Sequence, residues 1–243
     1  MADRTELPLD GQIALVTGAS RGIGAATAAA LANAGAHVII TARTAAGLEE
    51  LEDQIHDSGG SATIAPLDLV DGDAIARLAS AVAERWGKLD MLVMNAAMLG
   101  TLTPVAAIDT KEFNRLLTLN LIAQQALIAN FDPLLRRSAA GKLIALTSSV
   151  ARAPRAYWGA YAASKAALEV LVTSYGAEMA NISTVRTAIV DPGATRTQMR
   201  ARAFPGEDGA SVKEPAVVGD AIAALCIAGF DSTHFVMLPK NGA

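Results

Sequence analysis

Tyr161 and Lys165 stand four residues apart, so on a helix they share one face. A free tyrosine ionises near pH ~10, too high for easy proton exchange at neutral pH. An ammonium beside it stabilises the phenolate and lowers that value, which would make Tyr161 a usable general acid/base. Tyr/Lys pairs on exposed helices are common, so the pair needs partners before it implies chemistry. Two adjacent serines, Ser148 and Ser149, end an apolar run, and on a continuing strand their side chains would point opposite ways. Asn120 lies among Leu119, Leu121 and Ile122 in a helical stretch, where an amide is mildly unfavourable. It fits either a place in a site or a satisfied core amide.

A second cluster handles phosphate. Thr17-Gly18-Ala19-Ser20-Arg21-Gly22-Ile23-Gly24 lies between an apolar run and an alanine-rich helical stretch. Gly18 permits a tight turn, Gly22 lets backbone approach a phosphate, and Gly24 lets helix and strand pack closely. The helix N-terminus then offers unpaired N–H groups to a pyrophosphate. The run VIITART places Ala42 where an acid would hold a ribose 2′-hydroxyl, with Arg43 beside it. Arg43 and Arg21 can converge on a 2′-phosphate, which points to NADP(H) rather than NAD(H).

These residues need a scaffold that brings strand ends and helix starts together. Apolar runs at Gln12–Thr17, His37–Thr41, Ser61–Leu67, Leu89–Met94, Lys142–Ser148, Thr184–Val190 and Phe235–Leu238 read as parallel strands covered on both faces. Helical patterns fill the gaps at 22–34, 44–58, 72–86, 111–137, 159–180 and 215–229. Strict alternation implies right-handed βαβ units and an α/β fold: a doubly wound, seven-stranded parallel sheet of Rossmann type with helices on both faces. We expect one domain over 1–243, its long irregular stretch at about 194–214 having the length and glycine content of a mobile lid.

Composition excludes several classes. A net charge of −4 argues against nucleic acid, whose phosphates need a basic face. Mean hydropathy is +0.33, yet no run of ~18 uncharged apolar residues occurs, so no membrane span is expected. The first ten residues carry three acids and do not read as a signal peptide, so a cytoplasmic location is expected. One cysteine and three scattered histidines leave no metal site in prospect. Cys226 reads as a buried inert thiol, and no G-x-S-x-G elbow supports a serine hydrolase.

The TGxxxGIG spacing resembles the short-chain dehydrogenase/reductase family over about residues 10–240, closest to a bacterial branch of uncharacterised oxidoreductases. Further segments match in order: Asp68-Leu69 beside the family's adenine position, Asn95-Ala96 at its NNAG turn, Asn120, Ser148, Tyr161-Ala-Ala-Ser-Lys165, and Pro192-Gly193-Ala-Thr195-Arg-Thr197. The family's catalytic serine lies thirteen residues before the tyrosine and seven after a glycine-type turn, and Tyr161 and Gly141 both select Ser148. The resemblance implies that Ser148 holds the substrate oxygen, Tyr161 exchanges its proton, Lys165 also binds the nicotinamide ribose, and Asn120 holds a water. Thr195 and Thr197 would touch the carboxamide and pyrophosphate. Two departures stand out: Ala97 replaces the NNAG glycine, and the end THFVMLPKNGA lacks the family's frequent ending.

The implied protein is an NADP(H)-dependent oxidoreductase acting on a small-molecule carbonyl or alcohol. It would form a homo-oligomer through the helices at 111–137 and 159–180. The alternatives are an NADP(H)-sensing binding protein without turnover, or an epimerase or dehydratase on the same fold. Tyr157 and Trp158 could line the substrate pocket or pack their loop. If the 194–214 stretch is helical, Arg196 and Arg200 share a face that could steer an anionic substrate; otherwise they form a solvated surface balanced by Glu207 and Asp208.

Overall fold

The structure, a computed structural model, describes residues 7–231 and 233–239. The departures in the last four residues and the first six residues of the expected leader-free start therefore lie outside the described residues. Seven strands form one parallel sheet: β1 (Ile13–Thr17), β2 (His37–Thr41), β3 (Ser61–Ile64), β4 (Met91–Met94), β5 (Lys142–Leu146), β6 (Arg186–Asp191) and β7 (His234–Met237). Their order is β3-β2-β1-β4-β5-β6-β7, so the winding direction reverses between β1 and β4. Loops at that reversal diverge to opposite faces and leave a crevice beyond the strand C-termini.

The apolar runs are explained by burial on both faces. Ala14 and Val16 of β1 and Ile144 and Leu146 of β5 join one core with α1 (Gly22–Asn33), α2 (Ala46–Asp57) and α8 (Pro215–Ala228). Their neighbours Ile13, Leu15, Leu143 and Ala145 join the other core, under α3 (Gly72–Trp86), α5 (Ala123–Leu135) and α6 (Gly159–Met179). Every second residue thus faces a different helix layer, so the strand interiors are mostly apolar and polar residues such as Thr17, Thr41, Lys142 and Asp191 stand mainly at strand ends. Cys226 is buried in the first core, and burial pushes its thiol up to about 12.

Apart from β2, strand ends shift by one to three residues from the sequence pattern, most at β3, which ends at Ile64 although Ala65 and Leu67 still donate to the Ile40 and Ala42 carbonyls beside it. The larger difference is in the stretch expected as one helix over 111–137. It divides into α4 (Thr110–Leu117), a π-helical turn at Thr118–Ile122, and α5. Thr118 Oγ1 donates back to the Asn114 carbonyl at 2.8 Å, a bond that bends helices. Gln124, 1% exposed, donates from Nε2 to the Leu119 carbonyl at 2.9 Å and to Ala96 O at 3.3 Å. The side chain takes up a carbonyl that a wide turn would otherwise strand. Asn120 sits at the centre of this turn.

Candidate active site

The glycine turn leaves β1 and enters α1 at the crevice. Gly22 has φ +59, a left-handed value that favours glycine, and its missing side chain faces only the Thr197 methyl, 3.4 Å from an ideal Cβ. A side chain on Gly24 would strike the Gly18 carbonyl, and Asn95 Nδ2 at 2.5 Å, so the helix can lie on the strand end only with glycine there. Asn95 donates from Nδ2 to the Thr17 and Gly18 carbonyls at 2.8 and 3.2 Å. Its side chain therefore ties the turn to the end of β4. Thr17 completes the tie: buried, its hydroxyl donates to Val93 O at 3.2 Å and accepts from the N–H groups of Asn95 and Ala96 at 3.0 and 3.1 Å. Sequence reasoning gave Thr17 no role, though a threonine closing a strand before the first glycine was visible.

The second edge of the turn lies against β2. Ala19 N–H donates to Thr41 O at 3.0 Å, and an ideal Cβ on Gly47 would be 2.9 Å from Ser20 O. Arg21 and Arg43, each two residues beyond the Ala19–Thr41 bond, therefore extend from the same sheet edge. Both are exposed, and neither has an ion pair among the described residues. Leu67 N–H donates to Ala42 O at 3.0 Å, which carries Asp68 and Leu69 to this edge as well. Asp68 is exposed and Leu69 is buried, so an acid rims the edge and an apolar side chain floors it. This cradle, open over Gly22 and flanked by unpaired arginines, fits a dinucleotide carrying an extra phosphate.

The other wall comes from β6. Pro192 and Gly193 turn the chain there, and Gly193 N–H is held by Asp191 Oδ1 at 2.9 Å. Thr195 is buried and donates to Pro192 O at 3.2 Å, while Thr197 accepts from Arg200 N–H at 3.1 Å and so caps α7 (Gln198–Ala203). Its methyl group is the one that faces Gly22. Lys213, 6% exposed, donates to the Pro239 carbonyl and bridges beside Thr195, closing the segment's far end onto its start.

Tyr161 and Lys165 rise in the first turns of α6, buried to 7% and 2% exposure. Lys165 Nζ donates to Leu146 O at the end of β5, 2.8 Å away, and lies 6.0 Å from the Tyr161 ring centroid. Burial lowers the Lys165 ammonium to about 8. The expected lowering of the Tyr161 phenol is corrected here. Burial, with the Asp191 carboxylate adding to it, holds the phenol above its ordinary value. An ammonium at that distance, itself easily deprotonated, does not offset the loss of water.

Ser148 follows β5 in extended conformation, and its side chain has no hydrogen bond among the described residues. Ser149 begins a single 3-10 turn instead of continuing the strand, so the alternation expected for the serine pair does not apply. Asn120 is fully buried and both of its amide hydrogens are engaged. It accepts from Met98 N–H at 2.8 Å and donates to Met98 O at 2.8 Å and Ser164 Oγ at 3.0 Å. The side chain binds the loop after β4 to α6, so a water on Asn120 would be held through an oxygen and not through an amide hydrogen.

The lid arginines also differ from expectation. Arg196 precedes α7 and pairs with Glu214 at 2.5 Å, while Arg200 grips Glu207 with Nε at 2.6 Å and Nη2 at 2.5 Å. They share no helix face and are not free to steer an anion. The acids that balance them are Glu214 and Glu207.

Geometry and sequence comparison agree on what this crevice is. Residues 12–208 match the profile described as short chain dehydrogenase. The chain belongs to the short-chain dehydrogenase family. Uncharacterized oxidoreductase YciK of Escherichia coli is 36% identical over 211 residues, covering 86% of this chain and 83% of that one. The solved structure of yciK from E. coli superposes with TM-score 0.90 at 33% identity, covering 96% of this chain and 98% of that chain. A metagenomic short-chain oxidoreductase in complex with NADP gives TM-score 0.82 at 34% identity over 96% of this chain and 100% of its own. Some other curated relatives are longer, and the chain spans 62% and 56% of two of them. Among the described residues, no helix is long and apolar enough to cross a membrane.

Proposed function

We propose that this short-chain dehydrogenase is an NADP(H)-dependent oxidoreductase interconverting a small-molecule carbonyl and an alcohol, with Tyr161 as proton donor and acceptor. One observation carries the reading: the Tyr161–Lys165 pair is buried beside the end of β5, opposite a glycine cradle flanked by two unpaired arginines. The nicotinamide, when bound, supplies or accepts the hydride, which no side chain of the site can do. Backbone at Gly18, Ser20, Gly22, Ile23 and Gly24 would hold the pyrophosphate, with Thr197 over Gly22. Arg21 and Arg43 would take the 2′-phosphate, Asp68 and Leu69 the adenine side, and Asn95 and Ala96 the inner edge. Pro192, Gly193 and Thr195 would line the nicotinamide side. Ser148, its hydroxyl uncommitted, orients the substrate oxygen toward the Tyr161 phenol. Lys165 supplies the charge that a phenolate needs, and Asn120 fixes the loop and helix between which that proton moves.

The same reading makes residues 1–243 one domain whose segment at about 194–214 closes over substrate. A cytoplasmic location is part of the same proposal. Ile122 and Val170, 58% and 67% exposed on the helical stretches at 111–137 and 159–180, would pair with a second copy of this chain. The deciding experiment follows NADPH oxidation against a broad carbonyl panel, with NADH in parallel. Tyr161→Phe keeps the ring and removes the proton, so kcat should fall by roughly 10²–10⁴ with NADPH affinity nearly unchanged. Normal turnover by that variant would refute the assignment.

A further inference from the structure

Beside Tyr161 stands an apolar wall that proton transfer does not require. Val150 and Ala162 are buried with the Tyr161 ring, and Leu99, Trp158 and Met199 pack against them. The Trp158 ring meets Tyr161 edge-on, centroids 6.1 Å apart at 66°. It also meets Phe204, at 5.6 Å and 33°. Three chain segments thus converge: the loop after β4, the turn into α6, and the segment after β6. That convergence holds Trp158 by contacts on both sides, and the preceding Tyr157 takes φ +72 to deliver it there. A strained backbone persists only where its surroundings over-determine it.

Charge near this wall is already spent. The Arg200 guanidinium lies 3.7 Å from the Phe204 ring centroid, and its charge is paired with the Glu207 carboxylate through Nε and Nη2. Arg196 is committed to Glu214. Arg202 is exposed to solvent, outside the cluster. A substrate carboxylate brought against Trp158, Met199 and Phe204 would lose its water and gain no partner from this wall. Flat apolar groups gain there, because aromatic rings accept edge and offset contacts at these separations.

Resting on the oxidoreductase reading, we propose that the site takes a neutral carbonyl compound with a bulky apolar body of the aryl type, and that Trp158 and Phe204 set this specificity. The test uses a matched pair, an aryl ketone and its ring-carboxylated analogue. Equilibrium binding is measured on the Tyr161→Phe protein with NADP⁺ and steady-state turnover on the unsubstituted enzyme with NADPH. The neutral ketone should bind at least tenfold tighter. Phe204→Ala and Trp158→Ala should each raise its KM roughly tenfold, the scale of one aromatic contact. Their kcat should stay within a few-fold, since uniform binding is what is lost. Phe204→Leu and Trp158→Phe, which keep much of the apolar bulk, should recover part of the affinity and guard against misfolding. Equal or tighter binding of the carboxylated analogue, or unchanged KM in both alanine variants, would overturn the proposal. Tighter binding of the neutral ketone with no turnover would uphold it and count against the oxidoreductase reading alone.

Discussion

In the proposed reaction Lys165 is the residue whose charge the site depends on, and its burial brings the titration of that charge toward neutrality. Burial lowers it to about 8, against ~10.5 in an unfolded chain. The cation is what the ribose and a phenolate would call on, so NADPH affinity should weaken as pH rises through 8. A fluorescence titration of NADPH from pH 7 to 9 checks this, and Lys165→Ala should show weaker binding without the pH dependence. The sign for folding is opposite. Between about 8 and ~10.5 the unfolded chain keeps a proton that the fold releases, so this group adds stability as pH rises through that window. Arg43 gives a second test at this scale. Arg43→Ala should raise KM for NADPH about tenfold or more, the cost of a charge-assisted phosphate contact, while KM for NADH barely moves. Equal KM values for the two cofactors in the unsubstituted protein would rule out the assignment of Arg21 and Arg43.

Two elements determine how the site is assembled, and neither is a regular helix or strand. The π-turn at Thr118–Ile122 aims Asn120 at Met98 and Ser164, joining the β4 loop to α6. Such turns interrupt helices mostly at functional positions. The segment after β6 is the other element. Its two ends meet at Thr195–Lys213, Lys213 donates to the Pro239 carbonyl, Met199 packs against the Tyr161 cluster and Phe204 lies against Trp158. Between those anchors its short helix leaves residues 201, 202, 205 and 206 exposed. Limited proteolysis should therefore cut near 200–210 and slow when NADPH is added, while Phe204→Ala should be cut faster than the unsubstituted chain. A rate indifferent to NADPH would mean that the segment is no lid.

The whole molecule is held by two cores of unequal tolerance. On one face α1 and α8 approach so closely that a Cβ on Gly219 would lie 2.6 Å from the Ala26 carbonyl carbon. Backbone cannot yield as a side-chain end can, so Gly219→Ala should destabilise by about 1–3 kcal/mol. Thermal denaturation should show Tm lower by roughly 2–4 °C per kcal/mol for a chain of this size. Because α1 begins in the glycine cradle, the same variant should loosen cofactor binding; a loss of Tm with no change in NADPH affinity would show that the cradle is held by Asn95 and Thr17 alone.

Much of this was legible in the chain. Unbroken apolar runs between helical patterns require two covered faces, and strict alternation leaves one economical winding, so the seven-stranded parallel sheet followed from local pattern. The glycine turn was legible because the left-handed backbone at Gly22 favours glycine and the close approach at Gly24 admits no side chain. The Tyr161–Lys165 pair was legible because helical spacing is a local property. Tertiary structure decided the rest, since it depends on which distant groups meet. Asn120 sits in what the pattern shows as one helix, and only the Thr118 and Gln124 side chains, bonding to freed carbonyls, reveal the turn that redirects it. Arg196 and Arg200 look like free cations until folding brings Glu214 and Glu207 to them. The phenol of Tyr161 was expected below its ordinary value from one neighbouring charge, and burial, a property of the whole fold, reversed the sign.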